Sequence, residues 1–399
     1  MFKHQKAMII HRFFFLLLPL FLLLSACEKT NYSDWTILIY MAADNGLNNA
    51  AISDIEEMQL AGFSENIKVI VQIDYSENQP EYQGTRRFQI TPGKADYLNS
   101  LGEINSGDGS QISRFANWGF DEYPSKRNAL IIWSHGNSWY SHPTTPAKFC
   151  PDYESNDFIN IPEGELKTAF QNINSHIDIT ILDACNMMSL GVAAEIFEYT
   201  DYIIGSEEEV NTDGFPYGDN VGTGILDIWE DYSSTEMLAS EIVDSYMSSY
   251  FPGGSQYPGY EGLLACSALK ASEYSSLLDD ISGFVDLSPS IEEITVAREN
   301  CVEFNDLDSD VDIKDFFYKL SVITEDQELK NKCENIIDAI DGCFVNQRFV
   351  DYLSGNVGTA TIWFPDNDNS AYEDLNAFFA NLQLNNLTNW KNFLDQTFE

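Results

Sequence analysis

Residues 177–188, with the sequence IDITILDACNMM, decide the fold and the candidate chemistry of this chain. A short apolar run rich in β-branched residues predicts a buried strand, and the run ends abruptly at Asp183. The apolar spacing from residue 188 to residue 199 predicts a helix. Cys185 therefore lies between a strand and a helix, at the carboxyl end of the strand, which is the edge where open α/β sheets bind their ligands.

Apolar runs of the same kind recur along the chain and predict further buried strands at residues 35–41, 67–73, 128–133, 202–205 and 359–364. Stretches with helical periodicity separate most of these runs, and residues 87–90 alternate as an antiparallel edge strand does. Strands that alternate with helices predict an α/β fold, with a largely parallel sheet and helices on both faces.

The clearest break in composition is the turn-rich stretch PGGSQYPGYEG at residues 252–262. A length of 399 residues also suggests two domains. We therefore predict a signal peptide at residues 1–26, a tether at 27–33, a catalytic domain at 34–251, and a mainly helical C-terminal domain at 252–399.

The first residues of the chain predict export. A charged start precedes an apolar run at residues 13–24. The run ends in LSAC at residues 24–27, which resembles a bacterial lipobox. That resemblance implies cleavage before Cys27 and lipid attachment to its sulfur, so the mature protein is expected on the cell envelope, at the outer membrane or cell surface. The alternative is a plain secretion signal that contains a cysteine.

The charge balance excludes some classes of partner. Asp and Glu number 63 against 21 Lys and Arg, which gives a formal net charge of −42. Nucleic acids and anionic membranes bind clustered basic residues, so neither is an expected partner. The six cysteines after Cys27 form no CxxC pair, which argues against a zinc site. A disulfide between Cys333 and Cys343 is left open.

His135 gives Cys185 a candidate base. It follows the strand predicted at residues 128–133 and lies 50 residues before Cys185. Ends of neighbouring parallel strands meet at one edge of a sheet, so the imidazole is expected beside the thiol. Gly136 permits a close backbone approach, and we expect the Gly136 and Cys185 amides to form an oxyanion hole. The alternative is that Cys185 is an ordinary structural cysteine.

Five blocks of sequence, in this order, resemble the clostripain family of cysteine peptidases: WTILIYMAADN at 35–45, IWSHG at 132–136, LDACNM at 182–187, SEEEVNTDGFPY at 206–217 and TIWFP at 361–365. The resemblance implies a caspase-like fold and a Cys-His dyad, with His135 as general base and Cys185 as nucleophile. It also implies cleavage after Arg or Lys, with Asp183 and Asp213 lining the pocket for the basic side chain.

The residues themselves agree with this specificity, because two carboxylates near the nucleophile suit a guanidinium or ammonium group. The alternatives are that Asp183 caps the following helix and that Asp213, before Gly214, forms an ordinary turn. Asn186 departs from the family pattern, which often has Leu followed by Gly after the nucleophile. The run of glutamates at residues 207–209 is expected to be a solvated loop.

Self-cleavage and a calcium requirement are two further features that the resemblance raises for this chain. Some relatives activate themselves by cleavage in the loop after the catalytic histidine, and Lys148 is the basic residue placed for it; the alternative is an intact loop. Some relatives need calcium. The alternating acids at residues 306–312 lack the glycine and the final glutamate of an EF-hand loop, so no metal site is recognisable. No cofactor is required by the sequence, and a calcium requirement is left open.

The sequence therefore predicts an exported, lipid-anchored, monomeric cysteine endopeptidase that acts on proteins or peptides. One rival is a catalytically silent surface binding protein on the same scaffold. Another is a peptidase of the same clan that cleaves after Asp or Asn.

Overall fold

The computed structural model describes residues 32–78, 83–140, 148–258, 264–287, 289–304, 309–350, 357–366 and 370–398. The predicted signal peptide, Cys27 and residues 141–147 of the loop after His135 lie outside this part of the chain. From Tyr32 onward the chain forms one compact unit.

The strands in the described residues are β1 Ser33–Ala43, β2 Ile67–Tyr75, β3 Gly84–Thr91, β4 Lys94–Gly102, β5 Ser125–Trp133, β6 Ile177–Asp183, β7 Thr200–Gly205, β8 Leu264–Lys270, β9 Glu303–Phe304, β10 Asp310–Asp312, β11 Phe344–Val350 and β12 Thr361–Trp363. The helices are α1 Asn48–Met58, α2 Ser110–Glu122, α3 Glu165–Gln171, α4 Leu190–Ile196, α5 Thr235–Ser249, α6 Ala271–Asp286, α7 Ile291–Glu299, α8 Ile313–Ile323, α9 Gln327–Cys343, α10 Ser370–Phe379, α11 Gln383–Thr388 and α12 Trp390–Phe398.

In the described part of the chain, nine strands form one sheet in the order β11-β8-β7-β6-β5-β1-β2-β3-β4. The middle strands, β7, β6, β5, β1 and β2, are parallel to one another. An antiparallel pair closes each edge, β8 with β11 on one side and β3 with β4 on the other. The fold class predicted from alternating strands and helices is therefore confirmed, including the antiparallel edge at residues 87–90.

The two faces of the sheet carry two separate hydrophobic cores. Alternate residues of a strand point to opposite faces, so Leu38 and Leu130 lie in one core and Ile39 and Ile131 lie in the other. Helices α1 and α5 cover the face of Ile39, whereas α2, α3, α4 and most C-terminal helices cover the face of Leu38. Helices therefore lie on both faces, as the sequence predicts.

The predicted domain boundary at residue 252 needs correction, because it does not separate two compact units. Strand β8 follows that boundary and hydrogen-bonds β7 of the same sheet. The C-terminal helices share the core of α2 and α3. The described part of the turn-rich stretch, residues 252–258, is mostly exposed and lies within one compact unit.

A small antiparallel sheet, β12-β10-β9, links the C-terminal part to the Cys185 segment. The Thr361 amide donates to the Met188 carbonyl at 3.1 Å. Asp312 caps α8 by accepting a 2.7 Å hydrogen bond from the Asp315 amide. The six cysteines from Cys150 onward are free thiols, so the open question of a disulfide is answered against it. Within the described residues, no helix has the length and apolarity that crossing a membrane requires.

Candidate active site

His135 and Cys185 lie at the same edge of the sheet, each two residues beyond the end of its strand. Trp133, the last residue of β5, pairs with Asp183, the last residue of β6. His135 and Cys185 therefore follow neighbouring parallel strands in matching register, and such strands lie about 4.8 Å apart. The structure brings the two predicted residues to adjoining turns.

Gly136 brings these two turns into backbone contact. A Cβ atom built on Gly136 would lie 2.5 Å from the carbonyl oxygen of Cys185 and 2.9 Å from the Cβ of Ala184. The backbone cannot yield enough to admit such an atom, so only glycine fits there. The close approach places the Gly136 and Cys185 amides, the two predicted oxyanion donors, on facing segments.

Cys185 is held by a turn and not by a helix terminus. Asn186 has a φ of 59°, in the left-handed region that Asn tolerates better than most residues. Helix α4 begins only at Leu190, and Ser189 caps it by accepting a 3.2 Å hydrogen bond from the Val192 amide. The helix predicted at residues 188–199 thus begins two residues later than expected, so Cys185 lies five residues before its first residue. The helix dipole acts mainly within the first turn, so it gives a thiolate here little stabilisation.

Residues 206–217 form a second loop against this turn. The Asn186 amide donates to the Glu208 carbonyl at 3.1 Å, and the Asn186 side-chain amide donates to the Glu207 carbonyl at 3.1 Å. Asn186, the departure from the family pattern, thus fastens the nucleophile's turn to this loop. Glu207 is buried, and its pKa is raised by burial and by the nearby Asp312 carboxyl. The prediction of a solvated loop is wrong for Glu207.

The thiol of Cys185 contacts the same loop. Its Sγ accepts a hydrogen bond from the Val210 amide at 3.3 Å and lies 3.6 Å from the Val210 carbonyl oxygen. The pKa of Cys185 is raised to about 11, mainly by burial and also by the Glu209 and Asp183 carboxylates, while the Val210 amide opposes them. Burial also lowers the pKa of His135. At neutral pH the thiol and the imidazole are therefore both uncharged.

Asp183, one of the two predicted pocket carboxylates, ends β6 and contacts the turn that contains the other, Asp213. Asp183 is 3% exposed, and its Oδ2 accepts a 2.8 Å hydrogen bond from the Tyr217 hydroxyl. Burial raises its pKa to about 7, although the bond from Tyr217 lowers it. Asp213 is exposed and precedes Gly214, where a Cβ would lie 3.3 Å from both Asp183 oxygens. Since Ser189 caps α4, Asp183 is not a helix cap.

Asn45 is a structural residue of the site that the sequence analysis missed. Its side-chain amide donates to the carbonyls of Ala42 at 2.8 Å and Pro151 at 2.9 Å. The Cys150 amide donates to the His135 carbonyl at 3.2 Å. These bonds fix the segment after residue 148 against the histidine turn. The only signal in the sequence was the position of Asn45 in the turn that follows β1.

Lys148, the predicted self-cleavage residue, is the first described residue after the gap at 141–147. Its amine lies 4.0 Å from the centre of the Phe158 ring, which is a cation–π contact. Phe149, on the other side of the candidate peptide bond, is 2% exposed in the core. The bond after Lys148 therefore joins a half-buried residue to a buried one.

Folding gathers carboxylates that are far apart in the sequence. Asp44, Glu103 and Asp152 have oxygen atoms within 4.8 Å of one another. Nearby, Asp74 is 1% exposed with one oxygen lacking a hydrogen-bond partner, and burial raises its pKa to about 8. Oxygen ligands of this kind fit calcium. A second, more exposed group lies near the opposite edge of the sheet and contains His176, Asp178 and Asp201.

Comparison with known proteins finds related sequences along most of the chain. The model of the clostripain family matches residues 39–396. A curated relative, clostripain from Hathewaya histolytica, is 26% identical over 231 residues. That match covers 48% of this chain and 42% of the relative, so the chain spans less than half the length of the curated relative it matches.

Solved structures share the fold over most of their length. A secreted C11 cysteine protease from Bacteroides thetaiotaomicron, in complex with an irreversible peptide inhibitor, gives a TM-score of 0.67 at 21% identity and covers 90% of this chain and 99% of its own. An inactive zymogen of a C11 protease from Parabacteroides distasonis gives 0.66 at 19% identity, covering 89% and 97%.

Proposed function

Because this chain belongs to the clostripain family and is a cysteine peptidase, we propose that it cleaves peptide bonds after Arg or Lys, with Cys185 as nucleophile and His135 as general base. The observation that carries the proposal is the register of β5 and β6, since Trp133 and Asp183 pair and the two reactive residues follow them by the same number of positions.

The neutral state of both groups supports transfer of the thiol proton to His135 during the attack. His135 accepts the thiol proton as Sγ attacks the carbonyl carbon, and the oxyanion that forms is stabilised by the Gly136 and Cys185 amides. His135 then returns the proton to the departing amine, which leaves an acyl-enzyme. Water, deprotonated by His135, attacks the thioester and releases the carboxylic acid product with the free thiol.

The two carboxylates supply the proposed preference for basic side chains. Asp183 is buried beside the nucleophile, where low effective dielectric strengthens its attraction for a cation. Asp213 is exposed on the turn that contacts Asp183, and its charge extends the negative potential toward solvent. A guanidinium or ammonium group would compensate the burial of Asp183 that raises its pKa.

Peptides that differ only at the residue before the cleaved bond test this function. With Arg, Lys, Asn or Asp at that position, we expect the wild-type protein to hydrolyse the Arg and Lys peptides under reducing conditions. Each assay is run with excess calcium and with a chelator, which also tests whether Asp44, Glu103 and Asp152 hold a calcium ion that the enzyme needs. Cleavage after Asp or Asn alone would overturn the pocket assignment. Binding of the peptides without any turnover would favour the silent scaffold.

We also propose that Lys148 is a self-cleavage site, because it is a basic residue on the segment that hydrogen-bonds the His135 turn. The active enzyme is expected to contain two chains, the second beginning at Phe149, as read by Edman sequencing. Lys148→Ala should leave one chain with reduced activity, whereas the control Lys94→Ala, at an exposed lysine of the β3–β4 hairpin, should process normally. A single wild-type chain with full activity contradicts the proposal.

The envelope location is proposed from the sequence alone, because the leader lies outside the described residues. A lipid anchor at Cys27 would tether the catalytic unit through residues 28–33 and leave its acidic surface in the medium. Incorporation of labelled palmitate into the wild-type protein but not into Cys27→Ala would support it. A labelled Cys27→Ala protein, or an unlabelled wild type, would contradict it.

A further inference from the structure

A cavity of about 610 Å³ lies between helix α1 and the loop that follows β7. Four carboxylate residues line it, Asp54 and Glu57 from α1 and Asp213 and Asp219 from the loop after β7. Its described lining contains no Lys, Arg or His. A cleft lined by one sign of charge attracts ligands of the opposite charge, because its protein walls screen the field less than water does.

The cavity is beside the catalytic turns but does not contain them. Neither Cys185 nor Asp183 lines it. Asp213 follows Val210, whose amide contacts the Cys185 sulfur, by three residues, which span at most about 10 Å of extended chain. On the other wall, Asp54 accepts a 2.7 Å hydrogen bond from the indole of Trp133. A peptide bound at the nucleophile could therefore reach the cavity with a residue only a few positions from the cleaved bond.

Two of its carboxyls, those of Glu57 and Asp54, have no cationic partner among the residues that the structure describes. The pKa of Glu57 is raised to about 8, mainly by burial and also by the Asp183 and Asp213 carboxylates, while a hydrogen bond from the Gly218 amide lowers it. Burial likewise raises the pKa of Asp54. Buried acids with no cationic partner are costly in the folded state. A bound cation is the partner that would relieve this cost at Glu57 and Asp54.

Asp219 differs from these two, because its own loop satisfies it. Burial would raise its pKa, but the hydroxyl and amide of Thr223 and the amides of Val221 and Gly222 lower it below the usual value. Asp219 therefore shapes the wall of the cavity and keeps its charge. Glu57, which is partly exposed on α1, is the group whose ionised form a bound cation would stabilise.

We propose that this cavity binds a second basic side chain of the substrate, through Glu57, so that the enzyme prefers sites with two basic residues close together. Asp183 would hold the side chain before the cleaved bond, and Glu57 would hold a Lys or Arg a few positions away. This inference rests on the proposed function, since it assumes that the first basic residue occupies the pocket of Asp183. The protein substrate would then carry paired or closely spaced basic residues.

Two peptide series test the proposal. All peptides have Arg before the cleaved bond. In the reference series the neighbouring positions on both sides of that bond are Ala, and in the second series one of these Ala residues at a time is replaced by Arg. At one of these positions, the wild type should show a kcat/KM about tenfold higher for the second Arg, the scale of a charge-assisted hydrogen bond. Glu57→Gln keeps an acceptor for the Gly218 amide and should bring this ratio close to one. Glu56→Gln, an exposed acid on the same helix, should keep the ratio of the wild type.

A ratio that Glu57→Gln leaves unchanged would overturn the proposal, as would a wild type with no preference at any position. Asp54→Asn provides a second variant should Glu57→Gln unfold, and thermal unfolding checks both. Calorimetric binding of the same peptides to Cys185→Ala separates this inference from the proposed function. Tighter binding of the dibasic peptide supports the cavity even without cleavage after Arg, and equal binding contradicts it whatever bond the wild type cleaves.

Discussion

Cys185→Ala is expected to lower kcat/KM for an Arg peptide by about 10⁴-fold or more, the usual scale for loss of a nucleophile. His135→Ala should have a comparable effect, because the neutral thiol needs a base to remove its proton. The double variant should be little worse than either single one, since the two residues act in one step. Initial rates with a fluorogenic Arg peptide measure all three variants.

The matched control is Cys301→Ala. Among the described residues, Cys301 is the other half-buried cysteine. It lies outside the site, and its sulfur is 3.2 Å from the Ala297 carbonyl oxygen. It should retain the wild-type rate. A Cys185→Ala protein with more than about a tenth of the wild-type activity would remove Cys185 from the mechanism.

The pH profile separates a neutral pair from a preformed ion pair. Burial lowers the pKa of His135 and raises that of Cys185. The active form, with both groups uncharged, is therefore lost as pH falls through the lowered pKa of the imidazole. We expect the acid limb of kcat, which does not include substrate binding at Asp183, below the ordinary histidine value of about 6.5.

Asp183→Asn is expected to lower kcat/KM for Arg and Lys peptides by about 100-fold. The change removes the buried negative charge, and a hydrogen bond between charged partners contributes roughly 1.5–3 kcal/mol. The side-chain oxygen of Asn still accepts from Tyr217, so the turn is expected to persist. Asp213→Asn should have a smaller effect because solvent screens the exposed Asp213.

Asp178→Asn makes the same substitution at the other end of β6 and serves as the control, with little expected effect on kcat/KM. An equal loss for peptides with neutral and basic residues before the cleaved bond would make Asp183 a structural residue. In the wild type, KM for basic peptides should rise as pH falls below about 7, because burial raises the pKa of Asp183 to that value and the protonated acid attracts cations weakly. Asp183→Asn should lack this rise.

Local patterns in the sequence were enough to predict the strands of the central sheet. A strand buried on both faces needs a continuous apolar run, and such runs predicted β1, β2, β5, β6 and β7. Parallel strands present their carboxyl ends at one edge, so the ends of β5 and β6 predicted that His135 and Cys185 would be neighbours. The predicted domain boundary at residue 252 was wrong because composition is also a local property. It indicates a turn there, but it does not indicate which surface the later helices cover.

Short or polar edge elements were less visible. Strand β4 is largely exposed, and β9 and β10 contain only two and three residues, so neither gives a strong periodic signal. Asn186 was seen only as a departure from the family pattern. Its left-handed φ and its bonds to residues 207 and 208 depend on a loop that the strand pattern does not position.

The sequence by itself determined the order of the strands and helices and the two reactive strand ends, because periodicity and strand direction are local properties of the chain. The tertiary structure decided which groups are charged and which surfaces are shared. Glu57 and Asp213 line one cavity, and Asp44, Glu103 and Asp152 meet, only after distant segments pack. Burial and neighbouring charge set a pKa, and both depend on residues far away in the chain.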